Sequence, residues 1–229
     1  MDGSHDWWHI HRVRNLAMKL ATMEGIEDEA TRETIEMAAL LHDVKDWKYS
    51  GSDSAGVEAV EVFLRSLEYP AEKRESILFV ISNLGFKEEL SNKAKPAVTP
   101  ELAIVQDADR IDAIGAIGIA RCFTFGGSKN QVLHDPGLMP RQGLTKESYM
   151  KEKGTTINHF HEKLLLLKDK LKTKSGRWAI YSLTEASCDY PEYGAHPSVG
   201  FACREVASRR HDFMEEYVAR FYQEWDATD

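Results

Sequence analysis

Nowhere does the chain contain the roughly 20 consecutive apolar residues needed to cross a bilayer, so no membrane span is expected. Residues 1–6 lack the basic-then-apolar pattern of an export leader. Cysteine is scarce. Cys122, Cys188 and Cys203 are odd in number and far apart, which argues against a disulfide framework or a zinc clip and for a reduced, cytoplasmic setting. Positive charge is also short, with 29 Lys and Arg against 37 Asp and Glu and a net charge of −8. A nucleic-acid partner, which needs a basic surplus, is therefore not expected. A small phosphate substrate stays open, because a bound cation can neutralise it. Internal repeats and low-complexity stretches are absent.

What is present is ordinary globular material. Apolar residues make up 42% and charged residues 29% of 229 positions, enough for one good-sized core and a single domain over 1–229. Val13, Leu16, Ala17 and Leu20 recur at helical spacing over 7–24, with Gly25 as a stop. A second helix is predicted from about Thr31, as N-cap, through Ile35, Ala38, Ala39 and Leu41 to His42 and Asp43. Val57, Val60, Phe63, Leu64 and Leu67 predict a third, ended by Pro70, and a fourth follows over 71–84. Pro100 and Glu101 open a helix, predicted to be buried, whose stripe runs through Leu102, Val105, Ala113 and Ala116. Residues 125–143 read as a long loop, 146–172 as a long helix, and 205–225 as the last helix. Only 178–204 breaks the all-α pattern, as an irregular insertion. No strand precedes the glycine pairs Gly115/Gly118 and Gly126/Gly127, so they make no nucleotide fingerprint.

Chemistry-bearing residues fall on the inward stripes. His9 lies one turn before Val13, and His42 extends the stripe of Ile35, Ala38 and Ala39, with Asp43 beside it. Taken singly, a buried histidine is more often a satisfied core residue than a ligand. The third segment changes that reading: Asp107, Asp109 and Asp112 stand in an otherwise apolar helix, Asp109 on its stripe. A buried carboxylate needs a cation or a dense set of donors. Two imidazoles and two carboxylates facing inward from three helices describe a divalent-metal site with room for water and a phosphate oxygen.

These residues resemble the H…HD…D signature of the HD phosphohydrolase superfamily: His9 with Arg12 and Val13, then Leu40, Leu41, His42 and Asp43, then Asp107, Ala108, Asp109 and Arg110. The runs 5–13, 106–118 and 158–164 are similar to a group of small stand-alone HD hydrolases. The resemblance covers 4–176 and resumes from 205. It implies an all-α HD-domain helical bundle, a divalent ion such as manganese, magnesium, cobalt or nickel, and hydrolysis of a phosphate ester or anhydride in a nucleotide. The implied metal ligands are His9, His42, Asp43 and Asp109. Asp109 is chosen because the ligand in related enzymes directly precedes a basic residue, with Asp107 as the alternative and Asp112 left to orient a histidine or cap backbone. Asp46 stands one turn beyond His42, where several such enzymes carry a glutamate used in acid–base work. Lys45, Lys48 and Arg110 are expected to offset charge on a phosphoryl group. Dinuclear members need further histidines between the second and last motifs. None of the nine here falls between His42 and Asp109, which favours one ion. Conversion of a nucleoside triphosphate to monophosphate and pyrophosphate is the favoured reaction. The rival is a non-catalytic HD domain that binds a nucleotide or a partner protein; a homodimer is compatible with either.

Overall fold

The computed structural model describes residues 3–44, 55–86, 97–143, 154–174 and 206–228. Among them are eight α-helices and no strand: α1 (Trp7–Met23), α2 (Glu29–Leu41), α3 (Ala55–Ser66), α4 (Ala71–Asn83), α5 (Pro100–Asp112), α6 (Gly115–Ser128), α7 (Asn158–Glu162) and α8 (Val206–Trp225). The all-α expectation is met.

Helix starts follow local chemistry. The Asp6 carboxylate accepts the His9 backbone N–H at 2.9 Å and caps α1. Asp28, rather than the expected Thr31, caps α2, because its carboxylate accepts both the N–H and the hydroxyl of Thr31 and so adds a turn upstream. Thr99 caps α5 ahead of Pro100, whose missing N–H costs nothing at a helix start.

Helix α5 is the axis of the bundle, packed against α1, α2 and α4, with α6 following from its end. From Leu102 to Asp112 every residue is buried except Asp109. Val13, Leu16, Ala17 and Leu20 of α1 meet Ile35, Ala38 and Ala39 of α2 and Ile104, Val105, Ala108 and Ile111 of α5 in one core. At about 25 cal/mol per Å² of apolar surface buried, such clusters are the main stabilising force.

The stripe expected to continue through Ala113 and Ala116 instead breaks. Ile114 is extended and Gly115 takes φ +78, which starts α6 in a new direction. A Cβ on Gly118 would lie 2.2 Å from the Ala113 carbonyl oxygen, so only glycine lets α6 cross this close to the end of α5. Helix α6 runs to Ser128, so the expected loop begins at 129 rather than 125.

The long helix expected over 146–172 is not continuous in its described part. Lys163, at φ −141, ends α7, and two 3₁₀ turns follow, Leu164–Leu166 and Lys168–Lys170. They bury Leu164, Leu167 and Leu171 much as a helix would, which is why the apolar spacing misleads. The segment ends clamped to α5: Asp107 accepts the backbone N–H of Lys172 at 2.9 Å and that of Thr173 at 2.8 Å, and the Thr173 hydroxyl at 2.7 Å. The insertion expected at 178–204 lies outside the described residues.

Candidate metal centre

Four side chains from α1, α2 with its end, and α5 converge. His9 Nε2 lies 3.2 Å from His42 Nε2, 3.3 Å from an Asp43 carboxylate oxygen and 3.7 Å from an Asp109 oxygen. His42 Nε2 lies 3.7 Å from Asp43 and 4.0 Å from Asp109. Ligand atoms of His9, His42 and Asp109 all fall within 4.8 Å of one another, so these three could hold a metal ion.

The outer nitrogen of each ring decides what the inner one offers. His42 Nδ1 donates to the Ala39 carbonyl at 2.8 Å, and a carbonyl can only accept, so the neutral ring carries its lone pair on Nε2. His9 Nδ1 meets an Asp112 oxygen at 2.8 Å, which places the His9 lone pair on Nε2 as well. Two such lone pairs 3.2 Å apart, with two carboxylates beside them, require a proton or a cation between them. Such a set of imidazole nitrogens and carboxylate oxygens suits a divalent metal ion.

Electrostatics point the same way. Burial works against charge on His9, but its hydrogen bonds with Asp112 and Asp43 outweigh that and raise its pKa. Burial likewise opposes charge on Asp109, yet His42 and His9 hold its carboxyl below the usual range. The side chains of His9, His42 and Asp43 are 1%, 2% and 8% exposed, and that of Asp109 is 35% exposed. The cluster therefore opens to solvent at Asp109.

Asp107, the alternative to Asp109, turns to Lys172 and Thr173 as described above. Asp112 serves His9 and is 2% exposed. It also takes Arg12 Nε at 2.6 Å, Arg12 Nη2 at 3.1 Å and Arg121 Nη1 at 2.9 Å. Its burial opposes charge, but His9, Arg12 and Arg121 together hold it far below the ordinary carboxylate range. Arg121 was missed by sequence reasoning. The signal was there, since a lone arginine in the apolar run of α6 needs a counter-charge as much as a lone acid does.

Arg110, expected beside the substrate, is buried and donates to the Lys170 carbonyl. Lys45, Asp46 and Lys48 lie outside the described residues. Phe160 packs in the core against Phe123 and Tyr217, and His161 reaches the Tyr222 hydroxyl at 3.1 Å. His134 is set among the rings of Phe221, Tyr222 and Trp225, and His211 pairs with Glu215.

Comparison with known proteins adds to this geometry. A family model described as the HD domain matches residues 7–114. YpgQ of Bacillus subtilis (strain 168) is 30% identical over 225 residues, which are 98% of this chain and 86% of that protein. Its crystal structure in complex with ADP superposes with a TM-score of 0.62 at 28% identity, covering 99% of this chain and 92% of that one. A Lactobacillus plantarum protein of known structure gives a TM-score of 0.78 at 30% identity over 99% of this chain and 90% of its own. An HD-superfamily hydrolase from Bacillus thuringiensis gives 0.60 at 34% identity over 97% and 87%.

Proposed function

Because the chain belongs to the HD-domain phosphohydrolase superfamily, we propose that it hydrolyses a phosphate bond of a nucleotide at His9, His42, Asp43 and Asp109. The observation that carries this reading is the pair of Nε2 atoms 3.2 Å apart beside two carboxylates, with the outer nitrogen of each ring already engaged. His9, His42, Asp43 and Asp109 would hold a divalent ion, which would supply Lewis acidity and positive charge to offset the phosphate. His42 is held for that task by the Ala39 carbonyl and His9 by Asp112, so neither ring needs to reorient on binding. Asp109, the member nearest solvent, marks the side from which substrate arrives. Asp46, four residues after His42 in the sequence, is the proposed proton-handling group, and Lys45 and Lys48 the proposed counter-charges for the phosphoryl oxygens, Arg110 being buried and turned to the Lys170 carbonyl. A nucleotide is favoured because YpgQ was crystallised with ADP. Within that class the proposed reaction releases pyrophosphate from a nucleoside triphosphate.

The test is a panel of nucleoside mono-, di- and triphosphates with manganese, magnesium, cobalt or nickel, with phosphate and pyrophosphate separated. Metal-dependent release of either, abolished in His42→Ala and Asp43→Ala, is the expected result. Nucleotide binding without turnover under every metal would favour the non-catalytic rival, and full activity in either variant would remove the proposed site.

A further inference from the structure

Asp112 orients His9, and Asp112 is in turn held by arginines. Its Oδ2 atom is the one that His9 Nδ1 meets at 2.8 Å, and Arg121 Nη1 donates to that same oxygen at 2.9 Å. Arg12 spreads over both oxygens, with Nε on Oδ1 and Nη2 on Oδ2. The Arg121 side chain is 13% exposed against 35% for Arg12, so water and salt screen its pairing with Asp112 less. The Arg121 guanidinium is itself anchored, because Nε donates to the carbonyl of the buried Ser4 at 2.7 Å.

This contact depends on the break between α5 and α6. In an unbroken helix the nine residues from Asp112 to Arg121 would separate them by about 13 Å along the axis, out of contact. The turn at Gly115 instead lets α6 bring Arg121 back to the end of α5. Arg210 of α8 reaches the same end of α5, but it donates to the Ile111 carbonyl rather than to a side chain. Both arginines lie outside residues 7–114, the part of the chain that the HD-domain family model matches.

We propose that Arg121 is a positioning residue for the metal centre: by fixing Asp112 Oδ2 it fixes the His9 ring, and with it the direction in which Nε2 meets an ion. This rests on reading His9, His42, Asp43 and Asp109 as a metal site. A ligating imidazole is held in orientation by the partner of its outer nitrogen, and that partner is only as fixed as its own contacts make it. Arg210 serves as the internal comparison, being an arginine at the same helix end with no bond to Asp112.

The experiment uses the full chain with manganese as the probe, its affinity read by electron paramagnetic resonance and the fold by melting temperature. Arg121→Met is expected to weaken manganese binding about 10-fold, near the low end for loss of an outer partner because Arg12 stays on Asp112. Arg121→Lys, which keeps the charge and a donor for Oδ2, should recover part of that loss. Arg210→Met should lower the melting temperature and leave manganese affinity at the wild-type value. Since the effect runs through one carboxylate, Arg121→Met combined with Asp112→Asn should bind manganese within about 2-fold of Asp112→Asn alone. Wild-type affinity in Arg121→Met, an equal loss in Arg210→Met, or losses that multiply in the double variant would each overturn the proposal. A wild type that binds manganese but hydrolyses no nucleotide would remove the enzymatic reading alone, and the affinities would still decide the role of Arg121. A wild type with no affinity for manganese, magnesium, cobalt or nickel would remove the centre and that role together.

Discussion

Asp107 and Asp112 lie on the same helix, 0% and 2% exposed, and meet opposite fates. Asp107 is surrounded by dipoles, the N–H groups of Lys172 and Thr173 and the Thr173 hydroxyl, and burial still raises its pKa. Asp112 faces His9 and two guanidinium groups, and despite similar burial its pKa falls. The difference shows what each is for. Neutral donors satisfy a carboxylate well enough to clamp a chain segment to α5, whereas cations keep it charged, and a charged acid can hold the proton of a ligand imidazole in place.

The largest expected effect lies on the clamping side. Asp107→Ala strands two backbone N–H groups in the core and should reduce unfolding free energy by about 2 to 4 kcal/mol in urea. Manganese affinity of the folded fraction should be unchanged; a fall in affinity as large as that at Asp112 would erase the contrast. Next in size, Asp112→Asn is expected to weaken manganese binding roughly 10- to 100-fold by loosening His9, read by metal titration with thermal unfolding as a control. Unaltered affinity would mean that His9 needs no orienting partner.

The smallest effect is in the sign of pH dependence in metal-free protein. Asp112, with its pKa depressed, contributes stability that is complete above an ordinary carboxylate value of about 4 and is lost as pH falls through its lower folded value. Asp107, with its pKa raised, carries a penalty that is absent below about 4 and grows as pH rises through its folded value. Comparing each Asp→Asn variant with the wild type by urea unfolding from pH 3 to 7 should show the Asp112→Asn deficit growing with pH and the Asp107→Asn deficit shrinking. Parallel trends would show that the two environments do not differ in kind.

Much of this was legible along the chain. The apolar stripes placed His9 and His42 facing inward, and three acids in an apolar helix announced partners. Which acid met which partner was not legible, because Asp107, Asp109 and Asp112 share one helix and their fates depend on what packs around it. The clamp on Asp107 comes from a segment 65 residues downstream. The 3₁₀ turns after Lys163 stayed hidden because Leu164, Leu167 and Leu171 satisfy both a helical spacing and a tighter one.

The uneven depth of the four side chains has a kinetic consequence. Among the described residues three side chains of the proposed set are sunk in the bundle and that of Asp109 is 35% exposed, so an ion held there would exchange past Asp109 without the chain unfolding. A chelator should empty such a centre while leaving the helices intact. Occupancy of the proposed centre would then follow the surrounding pool of divalent ions rather than being fixed at synthesis.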